Sequence, residues 1–236
     1  MGMQGRSMAV AIGASVVLLS ACGAADSDTP SPTPTPAWSP GVVPTADQLA
    51  SVLLTSDDLG GGDWTQSLGS PGDLWFCPDA STESSSAAAD VTWQASVQFE
   101  TQGVPRATAT GDPPVTVTVV EWLLADEPSQ IESTFTALRD GAEACYGPDT
   151  VNGRAVVTAP LAVPEVGDDR FGESDTYPIG EPGNPDNTFL RGAIVRDGPV
   201  LMLVSSTENA PGEGFQPQLT QDYVDTIITT AAANLP

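Results

Sequence analysis

The chain has 236 residues, with 31 acidic side chains against seven basic ones, no histidine and a formal net charge of −24. All seven bases are Arg, so lysine is missing as well. This balance argues against nucleic acid as a partner and against direct adhesion to anionic lipid heads, because either would meet a like-charged surface with no basic stripe to neutralise it. Without His or Lys there is no Ser-His-Asp or Cys-His arrangement, no imidazole-based zinc site, no Schiff base and no phosphate-loop lysine. The scattered carboxylates read as a solvated, self-repelling surface, with a cationic partner as the sharper alternative.

In chain order, residues 1–21 read as a lipoprotein signal peptide. Arg6 precedes an apolar run from Met8 to Leu19 that is too short for a permanent span, which needs about 20 residues. Leu19-Ser20-Ala21-Cys22 has the form of a lipobox, with Cys22 as the lipid-bearing N-terminus of the mature chain. Residues 22–44 follow as a tether, with Pro30, Pro32, Pro34, Pro36, Pro40 and Pro44 among Ser, Thr and Ala. Such a segment favours polyproline II and spans up to roughly 60 Å at its rise per residue. Trp38 lies inside it, either solvated or touching the domain or the lipid interface. Residues 45–236 are expected to form one extracytoplasmic domain.

Thr45-Ala46-Asp47-Gln48 has the pattern of a capping box, and Leu49, Val52 and Leu53 share a helical face, so a first helix is predicted over 46–54. Gly60-Gly61-Gly62 breaks the chain before Trp64. Val91, Trp93, Ala95, Val97 and Phe99 alternate with polar residues, the period of a half-buried strand, and 115–124 is its expected partner. Ile131, Phe135, Leu138 and Ala142 mark a second helix opened by Pro128, with Cys145 near its end. Strands are predicted at 154–158, 187–196 and 200–207, the last two as a hairpin about Asp197-Gly198. Leu219, Tyr223, Ile227 and Ala231 mark the closing helix. The order helix, strands, helix, strands, helix predicts an α+β domain, an antiparallel β-sheet covered by helices. A split βαβ arrangement is an alternative. With Cys22 lipidated, Cys77 and Cys145 remain as an even pair outside the cell and are expected to form one disulfide, contributing about 4 kcal/mol.

Candidate chemistry is sparse. Asp57-Asp58, Asp126-Glu127 and Asp168-Asp169 are adjacent carboxylates, expected to serve as caps, turns or solvated groups, since neighbours point to different sides while glycosidase work needs a set separation across a cleft. Asp168, Asp169, Glu173 and Asp175 read as a solvated acidic loop; Ca²⁺ ligation is the alternative, although the spacing does not fit an EF-hand. Trp93 and Trp122 are expected in the core, whereas Trp64 and Tyr177, beside loops, are the candidate ligand-binding residues.

The lipobox, the Pro/Thr tether, Leu53-Leu54-Thr55-Ser56-Asp57-Asp58-Leu59 before Gly-rich residues and Trp64, the Cys ending the middle helix, and Val166-Gly167-Asp168-Asp169 before the late hairpin together carry a resemblance. The chain resembles actinobacterial sensor-domain lipoproteins, which are similar to the extracellular domain of the mycobacterial serine/threonine kinase PknH. The resemblance implies a compact α+β domain with a cleft and a ligand-binding role outside the membrane. That family commonly has two disulfides, and this chain can form one. The expectation is a non-enzymatic ligand-binding or sensor module, lipid-anchored to the outer face of the cytoplasmic membrane, without cofactor or metal. A small apolar or glycan-like envelope ligand, or a protein partner, would occupy the cleft. The alternatives are an accessory structural lipoprotein of an envelope complex and a carboxylate-dependent hydrolase of wall glycans.

Overall fold

In the computed structural model the described residues are 38–68, 88, 90–102, 115–151, 154–181, 184–211, 217 and 219–236. The signal peptide, Cys22, most of the tether and Cys77 lie outside them. Helix α1 (Ala46–Ala50) and a 3₁₀ turn (Ser56–Leu59) precede β1 (Thr65–Leu68), β2 (Trp93–Gln102) and β3 (Thr116–Ala125). Helix α2 (Pro128–Glu143) follows, then β4 (Gly147–Val151), β5 (Arg154–Pro160), β6 (Asp169–Glu181), β7 (Asn184–Asp197), β8 (Val200–Pro211) and α3 (Gln221–Asn234). The eight strands make one sheet in the order β1-β2-β3-β8-β7-β6-β5-β4. Each pairing is antiparallel, so the α+β expectation holds; β3 and β4, the strands on either side of α2, have four strands between them, so they do not form a split βαβ.

The sheet is buried on both faces by different helices. On one face Val97, Phe99, Val117, Val119, Leu123, Val195, Met202 and Val204 pack with Leu49, Leu54 and Leu59 and with Val224, Ile227, Ile228 and Ala231 of α3. On the other, Trp122, Leu124, Ile194, Leu201 and Leu203 pack with Ile131, Phe135, Leu138 and Ala142 of α2. Alternate residues of β3 and β8 thus feed opposite cores, the consequence of the two-residue period of a strand. Local signals set the helix starts. Thr45 and Gln48 close the capping box on α1, and Thr220 accepts from the Tyr223 N–H at 3.2 Å to cap α3. Asp126 ties β2 to α2: Oδ2 accepts from the Thr92 N–H at 2.9 Å, and Oδ1 from the Glu127 N–H at 2.7 Å.

Several expectations are corrected. The first helix ends at Ala50 instead of continuing to residue 54, and the chain turns so that Leu54 can donate its N–H to buried Glu121. Trp93 shares the parity of Val97 and Phe99 but stands at the first position of β2 and is 41% exposed, so it is not a core residue. Val91 precedes the strand and packs in the α2 core. Trp38 is only 6% exposed and belongs to the α1/α3 core, so the folded unit takes in 38–44, which composition had assigned to the tether. The β7–β8 turn falls on Gly198-Pro199, one residue later than expected, because Asp197 pairs with Val200. Gly198 has φ +54°, the positive φ that a two-residue hairpin asks of its first central residue. The β4–β5 hairpin had no counterpart in the sequence reading.

Val166-Gly167-Asp168-Asp169 now has a structural reason. Gly167 has φ +64°, and a Cβ there would meet the Val195 side chain and approach Arg196 O at 2.6 Å. Asp168 accepts from the Gly198 N–H at 3.0 Å and donates its own N–H to Arg196 O at 2.8 Å, pinning the chain to the β7–β8 hairpin. Gly167→Ala is expected to cost roughly 1–3 kcal/mol from strain alone, seen as a lower urea midpoint with an unchanged slope. A midpoint equal to the parent's would contradict this account of the motif.

Candidate functional site

The stretch expected to be a solvated acidic loop is strand β6, and its four carboxyls divide between two environments. Asp168 and Asp169, at its start, face Arg196 at 3.6 and 3.9 Å. Glu173 and Asp175 lie inside the sheet, 1% and 9% exposed. Among the described residues no group of three or more His, Cys, Asp or Glu gathers as a metal site.

The face on which Glu173 and Asp175 lie follows from Phe171. Its ring meets Phe135 of α2 edge to face at 5.4 Å, so Phe171, and with it Glu173 and Asp175 at alternate positions, stand on the α2 side. Tyr146, just after α2, donates its hydroxyl to the Gly172 carbonyl at 3.5 Å. Thr158 of β5 stands opposite Asp175 and hydrogen-bonds its carboxyl. Beyond α2 the same sheet face continues through Leu190, Thr188, Ser205 and Thr207. There Thr188 donates to Asn209 Oδ1 at 2.6 Å.

Polar groups under α2 are short of partners. Both Glu173 oxygens, Asp175 Oδ1, Trp122 Nε1 and Thr134 Oγ1 are buried with no hydrogen-bond partner among the described residues. Buried polar atoms are almost always paired with protein or water, so two neighbouring carboxyls short of partners mark a place where something else is bound or a proton is held. Burial, then the charge of Asp175, pushes Glu173 from the ordinary 4.5 to about 9. Asp175 is also raised by burial, against the lowering hydrogen bond from Thr158. Tyr146 is raised by burial and then by Glu173, Glu143 and Asp175.

A second buried carboxyl lies on the other face. Glu121 accepts from the Leu54 N–H at 2.6 Å; burial, opposed by that hydrogen bond and aided by Asp58, raises it to about 8. Glu208 accepts from the Leu219 N–H at 3.0 Å and faces Arg191 at 3.7 Å, while Arg191 donates to the Leu219 carbonyl at 2.7 Å. This group fastens the chain entering α3.

No family model matches the chain, and no curated protein matches it. Among solved structures the chain is similar to the extracellular domain of PknH from Mycobacterium tuberculosis. That match has 15% identity over 80% of this chain and 98% of that chain, with a TM-score of 0.45. It is also similar to LpqN, involved in cell envelope biogenesis of Mycobacterium tuberculosis. There the identity is 11% over 74% of this chain and 81% of that one, with a TM-score of 0.27. The domain to which the motifs pointed is thus among the solved structures the chain is similar to.

The two residues singled out for ligand binding are not brought together. Trp64 packs against the α1/α3 core with its indole N–H on Gly61 O at 3.2 Å. Tyr177 lies in β6 opposite Thr188, with β2, β3, β8 and β7 between β1 and its strand. Trp122 is core, as expected. The adjacent carboxylates serve as caps and pairs: Asp58 Oδ2 accepts from both the N–H and the hydroxyl of Thr55, at 2.7 Å each. Glu173 and Asp175, expected in a solvated loop, are buried in a strand, and Glu121 and Glu208 went unread. A signal for the first two was present, since Phe171, Glu173, Asp175 and Tyr177 alternate with Gly172, Ser174 and Thr176.

These raised carboxyls set a pH dependence. Between about pH 4.5 and the folded values of about 8 and 9, the folded chain binds more protons at Glu121 and Glu173 than the unfolded chain does. Stability therefore falls as pH rises through that window, by about 1.4 kcal/mol per pH unit for each group while it is protonated only when folded. Below pH 4.5 this penalty is absent. Glu121→Gln is expected to raise the urea midpoint at pH 9 and leave it unchanged at pH 4. Equal midpoint shifts at the two pH values would be inconsistent with a buried neutral acid.

Proposed function

We propose that the chain is an extracytoplasmic lipoprotein, held by lipid on Cys22 to the outer face of the cytoplasmic membrane, that binds an envelope ligand without transforming it. The observation that carries this reading is the pair of buried carboxyls on the α2 face of β6, Glu173 and Asp175, whose Oε1, Oε2 and Oδ1 have no hydrogen-bond partner among the described residues. A partner that completes those hydrogen bonds would fill a defined place beside a rigid sheet. The non-enzymatic part is supported by the absence of His and Lys and by the placement of the carboxyl pair. Glu173 and Asp175 stand on one face of one strand, so both approach a ligand from the same side, whereas glycoside hydrolysis uses carboxyls on opposite sides of the bond. Among the described residues no helix is long and apolar enough to cross a bilayer.

A disulfide between Cys145 and Cys77 belongs to the same proposal; it would close the segment between them and fasten the chain just after α2. Native mass spectrometry of the protein purified from its own host tests both points. The expected spectrum carries a retained mass that disappears on denaturation, and the denatured, unreduced chain is two hydrogens lighter than the reduced one. A clean unliganded mass, with no protein partner recovered on pull-down, would overturn the binding reading.

A further inference from the structure

The charge inventory around Glu173 points to the kind of ligand. Two carboxyls project from one strand face at positions i and i+2, about 7 Å apart along the strand, and among the described residues neither meets a basic side chain. Each Arg whose side chain is described is engaged elsewhere: Arg139 with Asp140, Arg170 with Glu165, Arg191 with Glu208, and Arg196 with Asp168 and Asp169. Among the described residues the other groups beside the pair are neutral, namely Tyr146, just after α2, and Thr158 on β5, while Glu143 acts on Tyr146. Both Glu173 oxygens and Asp175 Oδ1 are nine-tenths or more buried and lack partners among the described residues.

Resting on the ligand-binding reading above, we infer that Glu173, Asp175 and the Tyr146 hydroxyl form a subsite for the primary ammonium group of a small ligand. An alkylammonium brings three N–H donors and one positive charge, matching three acceptor groups and the charge that the chain does not supply there. A metal ion fits less well, because Ca²⁺ takes six to eight oxygens and no third ligating carboxylate joins the pair among the described residues. Phe171, partly exposed beside Glu173, offers an aromatic wall of the sort that cations favour. The net charge of −24 concentrates cations at the surface, and the route inward passes Tyr146, which is only partly buried. Without a ligand Glu173 holds a proton. The ammonium displaces it to solvent, so binding and proton release are coupled.

That coupling separates an ammonium ligand from a neutral one. Isothermal titration of the full-length protein in detergent, with 1,5-diaminopentane as probe and CaCl₂ and sorbitol as comparison ligands, is run from pH 6 to 8.5 in buffers of different ionisation heat. The diamine is expected to bind with net proton release and to tighten up to about tenfold per pH unit for each proton displaced. Glu173→Gln and, separately, Asp175→Asn should each weaken it at least about tenfold while keeping a cooperative melt. Tyr146→Phe, which keeps the ring, should weaken it less. Binding of Ca²⁺ but not the diamine, affinity that falls with pH, or an unchanged affinity in both carboxyl variants would overturn the ammonium assignment. If the diamine fails while native mass spectrometry still shows a retained ligand, only the ligand class is wrong; if both fail, the binding reading falls with it.

Discussion

In a Cys22→Ala chain the mature, lipid-bearing species is expected to vanish, leaving only precursor that still carries residues 1–21. The thiol of Cys22 is the sole attachment point a lipobox offers, so the effect is all-or-none. Each buried acyl CH₂ contributes about 0.8 kcal/mol, and two or three chains together make anchoring stable where one is marginal. The measurement is mass spectrometry of the N-terminal peptide. The parent should give a peptide that begins at Cys22 and bears a diacylglyceryl group; the variant should give none. A chain starting at Gly23 behind an ordinary cleavable leader should be released from the membrane fraction. A parent peptide with a free Cys22 thiol would end the lipoprotein reading and leave the folded domain untouched.

Phe135→Ala is expected to cost about 3–5 kcal/mol, the range for removing a buried aromatic from a core that only partly collapses. That is a large share of the roughly 5–15 kcal/mol of a typical domain. Phe135 is 1% exposed, sits on the apolar stripe of α2 and holds the edge-to-face contact with Phe171. Truncating it loosens the helix over the sheet and lets water toward Glu173, two positions along β6. The variant should therefore show a second effect: stability that falls less steeply between pH 5 and 9, because a hydrated Glu173 returns toward its ordinary value. Urea unfolding at several pH values reads both, with exposed Ser133→Ala on the same helix as the control. A cost below about 1 kcal/mol would mean that α2 is not anchored through this ring.

Where hydrophobic periodicity was strong, the reading of the chain matched the fold closely. Ile131, Phe135, Leu138 and Ala142 all face the core, and the capping box at Thr45 closes as its spacing requires. The strands at 93–102 and 116–125 pair as expected. Where polar residues occupied strand positions, the reading failed. Glu173 and Asp175 lack the apolar alternation by which a strand is recognised, so β6 looked like a loop. Glu121 was masked by the β-branched run around it. Trp93 followed the inward parity yet stayed exposed, because parity does not say where the covering layer ends.

Two kinds of information separate here. The amino-acid sequence by itself determined the leader pattern, the missing His and Lys, the helix positions, the capping residues and the antiparallel α+β class, since each depends on composition or on contacts a few residues apart. Only the tertiary structure decided strand order, which helix covers which face, and where the carboxyls end up. Desolvation is set by neighbours distant in the chain: Phe135 with Phe171, and Leu54 with Glu121. An Asp or Glu reads the same in sequence whether it meets water, an Arg or the underside of a helix, and only packing turns Glu173 from a surface charge into a buried acid.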